Sequence, residues 1–188
     1  MTVKITYFVH GATRDNERGC STGWNDEALT ELGEVQNQET KDKMGDKEFD
    51  VIFSSDLKRA AESAKAIFPG REIMQDERLR ECNYGDLNGA DEKLVVYEDH
   101  IAVPFPNGEA LADVEKRIKD FCEFLLLNYD DKRVAVVAHR APQLAFEVVT
   151  DEKEDWDGAI ENDWRKVGKW QPGWEYEVSS ENKFKGMR

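Results

Sequence analysis

The chain has 188 residues, 39% of them hydrophobic and 35% charged, which is enough for one α/β domain with a sizeable core and gives no sign of a second. A formal net charge of −14 argues against nucleic acid or an anionic membrane as a partner, because either would need a basic face. No apolar run approaches the roughly 20 residues that span a bilayer, and Met1-Thr-Val-Lys-Ile5 lacks the features of a signal peptide, so a cytoplasmic protein is expected.

Val3, Ile5, Tyr7 and Val9 alternate with Lys4, Thr6 and Phe8, which predicts a mostly buried strand. It stops at His10-Gly11-Ala12-Thr13. The carboxyl end of a strand is where open parallel sheets place ligands, so His10 is a candidate site residue, and Gly11 lets a group approach the backbone. The alternative is a core histidine beside a turn glycine. Arg14 to Glu27, rich in Gly, Asn, Asp and Ser, reads as a long loop of the kind that is often functional.

Thr30 is a plausible N-cap for a helix running to about Gly45, which should lie mostly in solvent because Leu32 and Val35 are nearly its only apolar residues. Asp50-Val-Ile-Phe-Ser54 is a second strand. Ser55-Asp56 is expected to cap a helix whose Leu57, Ala60, Ala61, Ala64, Ile67 and Phe68 share one face, and Pro69-Gly70 ends it. Arg59, in its first turn, can reach an anion bound over the sheet or can be a solvated helix arginine.

Glu72-Ile-Met74 is a weak third strand, and residues 82–108 form an irregular segment expected to act as a lid or specificity wall. Glu109 to Tyr129 is the clearest helix, with its apolar residues at helical spacing. Arg133-Val-Ala-Val-Val-Ala-His139 repeats the pattern of a short apolar strand ending in histidine. The chain has 3 histidines and two of them end strands, so His10 and His139 are expected to be neighbours across the top of one sheet, with His100 on the surface.

Ala141-Pro142 opens another helix with Leu144, Ala145 and Val148 facing inward. Trp156, Ile160 and Trp164 are read as a core-facing stripe. Pro172-Gly173 is expected to turn into an edge strand over Trp174 to Val178, which closes a single domain of residues 1–178, and residues 179–188 are expected to be a flexible tail. Strand and helix in alternation imply a three-layer α/β/α sandwich with a mostly parallel sheet. Cys20, Cys82 and Cys122 show no metal-ligand spacing and are expected to be free thiols. In so acidic a chain, any phosphate-binding function needs a local positive pocket, so the arginines near the histidines are candidates.

The motifs together resemble the histidine phosphatase superfamily, the phosphoglycerate-mutase-like fold. The family pattern is Arg-His-Gly-x-Thr, then an Asn, a Gly and Leu-Thr/Ser-x-x-Gly; this chain has Val9-His10-Gly11-Ala12-Thr13, Asn16, Gly23 and Leu29-Thr30-Glu31-Leu32-Gly33. Ser55-Asp56-Leu57-Lys58-Arg59-Ala60, Leu79-Arg80-Glu81 with Gly85, Pro106-Asn107-Gly108-Glu109 and Val137-Ala138-His139 are similar to four further family stretches, in the family's order.

The resemblance implies a phosphomonoester hydrolase acting on a small phosphorylated metabolite. In it His10 forms a phosphohistidine, Glu81 is the proton donor, and His139, Arg59 and Asn16 hold the phosphate. No metal or organic cofactor is implied, and a monomer or homodimer is expected. The alternatives are a mutase, disfavoured by the short chain, or a catalytically weak member that binds a phospho-ligand. Two departures stand out: Val9 replaces the family's arginine, and Arg140 stands where glycine is usual. Arg140 and Arg14 are therefore candidate replacement cations, although Arg140 can equally turn to solvent or pair with a carboxylate.

Overall fold

The structure, a computed structural model, describes residues 1–167 and 173–180. In chain order it contains β1 (Thr2–Val9), α1 (Arg14–Glu17), β2 (Cys20–Ser21), α2 (Glu31–Met44), β3 (Val51–Ser54), α3 (Lys58–Ile67), β4 (Met74–Gln75) and β5 (Ala90–Asp91). There follow α4 (Leu111–Asn128), β6 (Arg133–Ala138), α5 (Arg140–Thr150), α6 (Trp156–Glu161), α7 (Trp164–Val167) and β7 (Trp174–Ser179). The main sheet has the order β4-β3-β6-β1-β7, parallel throughout except for β7, which runs antiparallel along the β1 edge.

The alternation in β1 is used on both faces. Val3, Ile5, Tyr7 and Val9 pack with Val114, Ile118 and Phe121 of α4 and with Leu144 and Phe146 of α5. Phe8 faces the other way, against Ile52, Ala64, Ile67 and Phe68, so α3, with α2 beside it, covers that side. This is the expected three-layer α/β/α arrangement. No helix among the described residues is long and apolar enough to cross a membrane.

Several local details differ from the sequence reading. The loop after Thr13 contains the short helix α1, because Thr13 and Asn16 cap each other. Asp56 does not cap α3; Ser55 Oγ accepts from Leu57 N–H at 3.2 Å and Asp26 Oδ1 from Lys58 N–H at 3.1 Å, while the Asp56 carboxylate turns to Arg80. The tryptophan stripe is divided between α6 and α7, with Trp156 and Ile160 buried and Trp164 packed against the core. Ser179 ends β7, and Ser180 N–H bonds Met1 O at 3.0 Å. Pro172 of the expected turn and residues 181–188 of the expected tail lie outside the described residues.

Candidate active site

The parallel register sets Val9 of β1 beside Ala138 of β6, and His10 N–H continues the ladder to Ala138 O at 3.0 Å. The two histidines therefore leave the sheet together, their ring centroids 5.0 Å apart. Above them is a cleft of ≈ 230 Å³ whose lining includes Val9, His10, Asn16, Arg59, Glu81 and Arg140. Its size suits a small ligand.

The turn after His10 depends on two glycines. A Cβ on Gly11 would lie 2.3 Å from Gly33 O, and one on Gly33 would lie 2.3 Å from Ala12 O, so α2 can rest directly on the turn only if both are glycine. Gln36, one turn further along α2, accepts the Ala12 N–H through Oε1 at 2.8 Å. α2 leaves Leu32 and Val35 exposed, as its sequence implies, and buries Gly33, Asn37 and Thr40.

His10 Nδ1 lies 2.7 Å from Gly11 O. A carbonyl only accepts, so Nδ1 carries the proton and the Nε2 lone pair points away from the backbone. Arg59 Nε donates to that Nε2 at 3.2 Å, and its Nη1 and Nη2 hold Asn25 O at 2.9 Å and Gly23 O at 2.7 Å. Burial first, and the Arg59 charge second, lower the His10 pKa to about 3, so its ring is neutral at neutral pH. Far from being solvated, Arg59 is only 1% exposed.

His139 is 0% exposed, and neither ring nitrogen has a hydrogen-bond partner among the described residues. Burial, then Arg59 and His10, push its pKa well below the usual value. Its backbone is clamped by Tyr7, whose hydroxyl donates to His139 O at 2.7 Å and accepts from His139 N–H at 3.0 Å.

Glu81 caps α5. Its Oε1 accepts from Cys82 N–H at 2.9 Å and Ala141 N–H at 3.0 Å, and its Oε2 accepts from Arg140 N–H at 3.2 Å. These contacts fix the side chain at the start of α5, where the first amides have no partner within the helix. The Glu81 carbonyl is held as well, by Trp24 Nε1–H at 2.7 Å and by Arg117 Nη2–H at 3.0 Å. Arg80 grips Asp56 through Nε at 2.8 Å and lies over the Trp24 ring, which ties the Leu79-Arg80-Glu81 stretch to the Ser55-Asp56 stretch.

The remaining candidates divide. Asn16 lines the cleft, with its Oδ1 taken by Thr13 N–H and Oγ–H, each at 3.1 Å. Arg14, at the exposed start of α1, is not part of the cleft lining. Arg140 lines the cleft while pairing with Asp163. Segment 82–108 supplies Tyr84 and Glu92 to the wall, and β2–β5 pairing ties it to the loop after His10. His100 stacks on Phe105, away from the cleft lining. Cys20, Cys82 and Cys122 are free, and no three His, Cys, Asp or Glu side chains converge as a metal site among the described residues. Gln36 and Arg165 are cleft residues that the sequence reading missed. Gln36 had a signal, the stripe of small and polar residues at 33, 37 and 40; Arg165 had none.

The pattern described as the histidine phosphatase superfamily (branch 1) matches residues 7–146. The chain is 32% identical over 161 residues to a 2,3-bisphosphoglycerate-dependent phosphoglycerate mutase of Methylorubrum extorquens, with 76% of each chain covered. It is 30% identical over 158 residues to a protein of the same description from Allorhizobium ampelinum, with 74% of this chain and 75% of that one covered. Among solved structures, the fold is shared with a mycobacterial glucosyl-3-phosphoglycerate phosphatase, at a TM-score of 0.74 and 23% identity over 85% of this chain and 84% of that one. It is shared also with the alpha-ribazole phosphatase of Shigella flexneri, at a TM-score of 0.71 and 20% identity over 86% and 84%.

Proposed function

The chain belongs to the histidine phosphatase superfamily (branch 1), and on that footing we propose that it hydrolyses the phosphomonoester of a small metabolite through a phosphohistidine on His10. The His10 ring carries this reading: neutral, with Nδ1–H fixed on Gly11 O and Nε2 turned towards Arg59 at the floor of the cleft. A nucleophilic imidazole needs that tautomer and that charge state.

A bound phosphate draws the Arg59 guanidinium off Nε2 and onto its oxygens, which frees the lone pair as the anion arrives. Nε2 then forms a bond to phosphorus while the bond to the leaving oxygen breaks, and Glu81 delivers a proton to that oxygen. In the second half, Glu81 takes a proton from water as the water oxygen attacks phosphorus, and Nε2 departs with its electron pair. Arg59, Asn16 and His139 hold the charge that builds on the phosphoryl oxygens. The ≈ 230 Å³ cleft supports a small substrate over a folded phosphoprotein.

Acid-quenched incubation with a radiolabelled phosphomonoester should leave acid-labile phosphate on His10 and release inorganic phosphate. Mutase relatives at 30% and 32% identity favour a second reading, in which the phosphoryl group returns to another hydroxyl of the substrate. Isomerisation of a phosphoglycerate without release of phosphate would select that reading; release without isomerisation would select the hydrolase.

A further inference from the structure

Resting on the reading of the cleft as a phosphate site, we infer that Arg140 supplies the phosphate-binding charge that position 9 does not. Val9 and Arg140 line the same cleft from the ends of paired strands, since Val9 ends β1 and Arg140 follows His139 at the end of β6. Val9 offers an aliphatic wall where the resemblance leads one to expect a guanidinium. In a chain of net charge −14, a phosphomonoester carrying about −1.5 to −2 at neutral pH needs more than one cation near it.

Arg140 is held in place by its neighbours. Its Nε donates to Asp163 Oδ2 at 2.6 Å and Nη2 reaches the same oxygen, so one carboxylate oxygen takes one edge of the fork. Asp163 is itself buried and fixed, its Oδ1 accepting from Arg165 N–H at 2.9 Å. The guanidinium lies over the Tyr97 ring, 4.2 Å from its centroid, which restricts rotation. That leaves Nη1, with two N–H groups, without a protein partner among the described residues.

The other cleft cations are more committed or more diluted. Arg59 has every guanidinium nitrogen on an acceptor, and Arg165 pairs with Glu92 at the rim, where both side chains are about two-fifths exposed and screened by water. The Arg140 side chain is only 19% exposed, so its guanidinium is less screened than the rim pair and is the stronger partner for a phosphate oxygen. Asp163 does not cancel that role: with the carboxylate on one edge, the opposite edge still presents donors, and the pair keeps the cation in place before ligand arrives.

Removing Arg140 alone would strand the Asp163 charge, so the test removes the pair together. Inorganic phosphate is titrated calorimetrically into the full chain, into Arg140→Gln/Asp163→Asn, and into that variant with Val9→Arg added. The pair variant is expected to bind phosphate about ten- to a hundredfold more weakly, with Val9→Arg recovering part of the loss. Unchanged binding in the pair variant would overturn the inference, because Arg140 would then serve only Asp163. Weaker binding that Val9→Arg does not recover would also overturn it, as the mark of a distorted cleft, and so would a parent chain that takes up no phosphate. The titration needs no turnover, so its failure is distinct from failure to trap phosphate on His10.

Discussion

His10 and His139 end adjacent strands with nearly the same local sequence, an apolar run and then histidine, yet their surroundings differ in kind. After His10 the chain turns at Gly11, which rests on Gly33 of α2, and the ring lies at the cleft with both nitrogens engaged, one by Gly11 O and one by Arg59. After His139 the chain enters α5 at once, with Glu81 capping that helix, and the ring is fully buried with both nitrogens unpartnered. The residue after each histidine makes the difference. Glycine leaves the first ring partly exposed and locked in one tautomer at the cleft, whereas a helix start draws the second ring beneath the surface beside it.

The largest expected effect breaks this pair apart. His10→Asn should abolish both turnover and acid-labile phosphate, whereas His139→Asn should lower turnover by about 10²- to 10³-fold and keep the label, because an electrostatic donor is lost and not the nucleophile. If His139→Asn also loses the label, the division of labour is wrong. Next in size is Glu81→Gln. Loss of a general acid costs about 10²- to 10⁴-fold and least for good leaving groups, so alkyl phosphates should suffer more than aryl ones. An equal loss on both classes would assign Glu81 to its capping of α5 alone. Asp86, the next acid along, is exposed, pairs with Asn107 and is not part of the cleft lining.

Much of this was legible because the pattern was local. The β1 and β6 alternation, the helix starting after Thr30 and the placement of both histidines at strand ends follow from periodicity and turn chemistry. What was hidden was pairing between stretches far apart in sequence. Asp56 looked like a helix cap because nothing in its neighbourhood reveals Arg80, which arrives from 24 residues away. The place of Glu81 at the start of α5 was hidden too, since its acceptance of two α5 amides depends on a contact across 59 and 60 residues. Arg140 offered two readings because charge alone cannot say that Asp163 will lie beneath it.

A smaller effect sharpens the same contrast on the His10 side. Gly33→Ala pushes a methyl into Ala12 O, and overpacking of this kind typically costs about 1–3 kcal/mol, so the melting temperature should fall and labelling of His10 should fall with it. Val35→Ala on the same helix, at a side chain 54% exposed, should change stability by less than about 0.5 kcal/mol and leave labelling intact. Should the two variants melt alike, α2 does not support the turn in the way its packing implies.

The smallest effect is a slope. Both histidines are held neutral in the folded chain, His10 with a pKa lowered to about 3 and His139 well below the usual value, while in the unfolded chain each titrates near 6.5. Below about pH 6.5 the unfolded chain therefore binds protons that the folded chain refuses. Each histidine contributes stability that is complete above that pH and is lost as the pH falls, by up to about 1.4 kcal/mol per pH unit. Carboxylates act mostly lower, and comparing parent with variant cancels what they share. His10→Asn should thus melt with a shallower pH dependence than the parent between about pH 6.5 and about pH 4.5, His139→Asn likewise, and the double variant should be shallowest. Parallel curves for the parent and His10→Asn would mean that the folded chain accepts a proton on His10 as readily as the unfolded one. The neutral ring on which its nucleophilic role rests would then be lost.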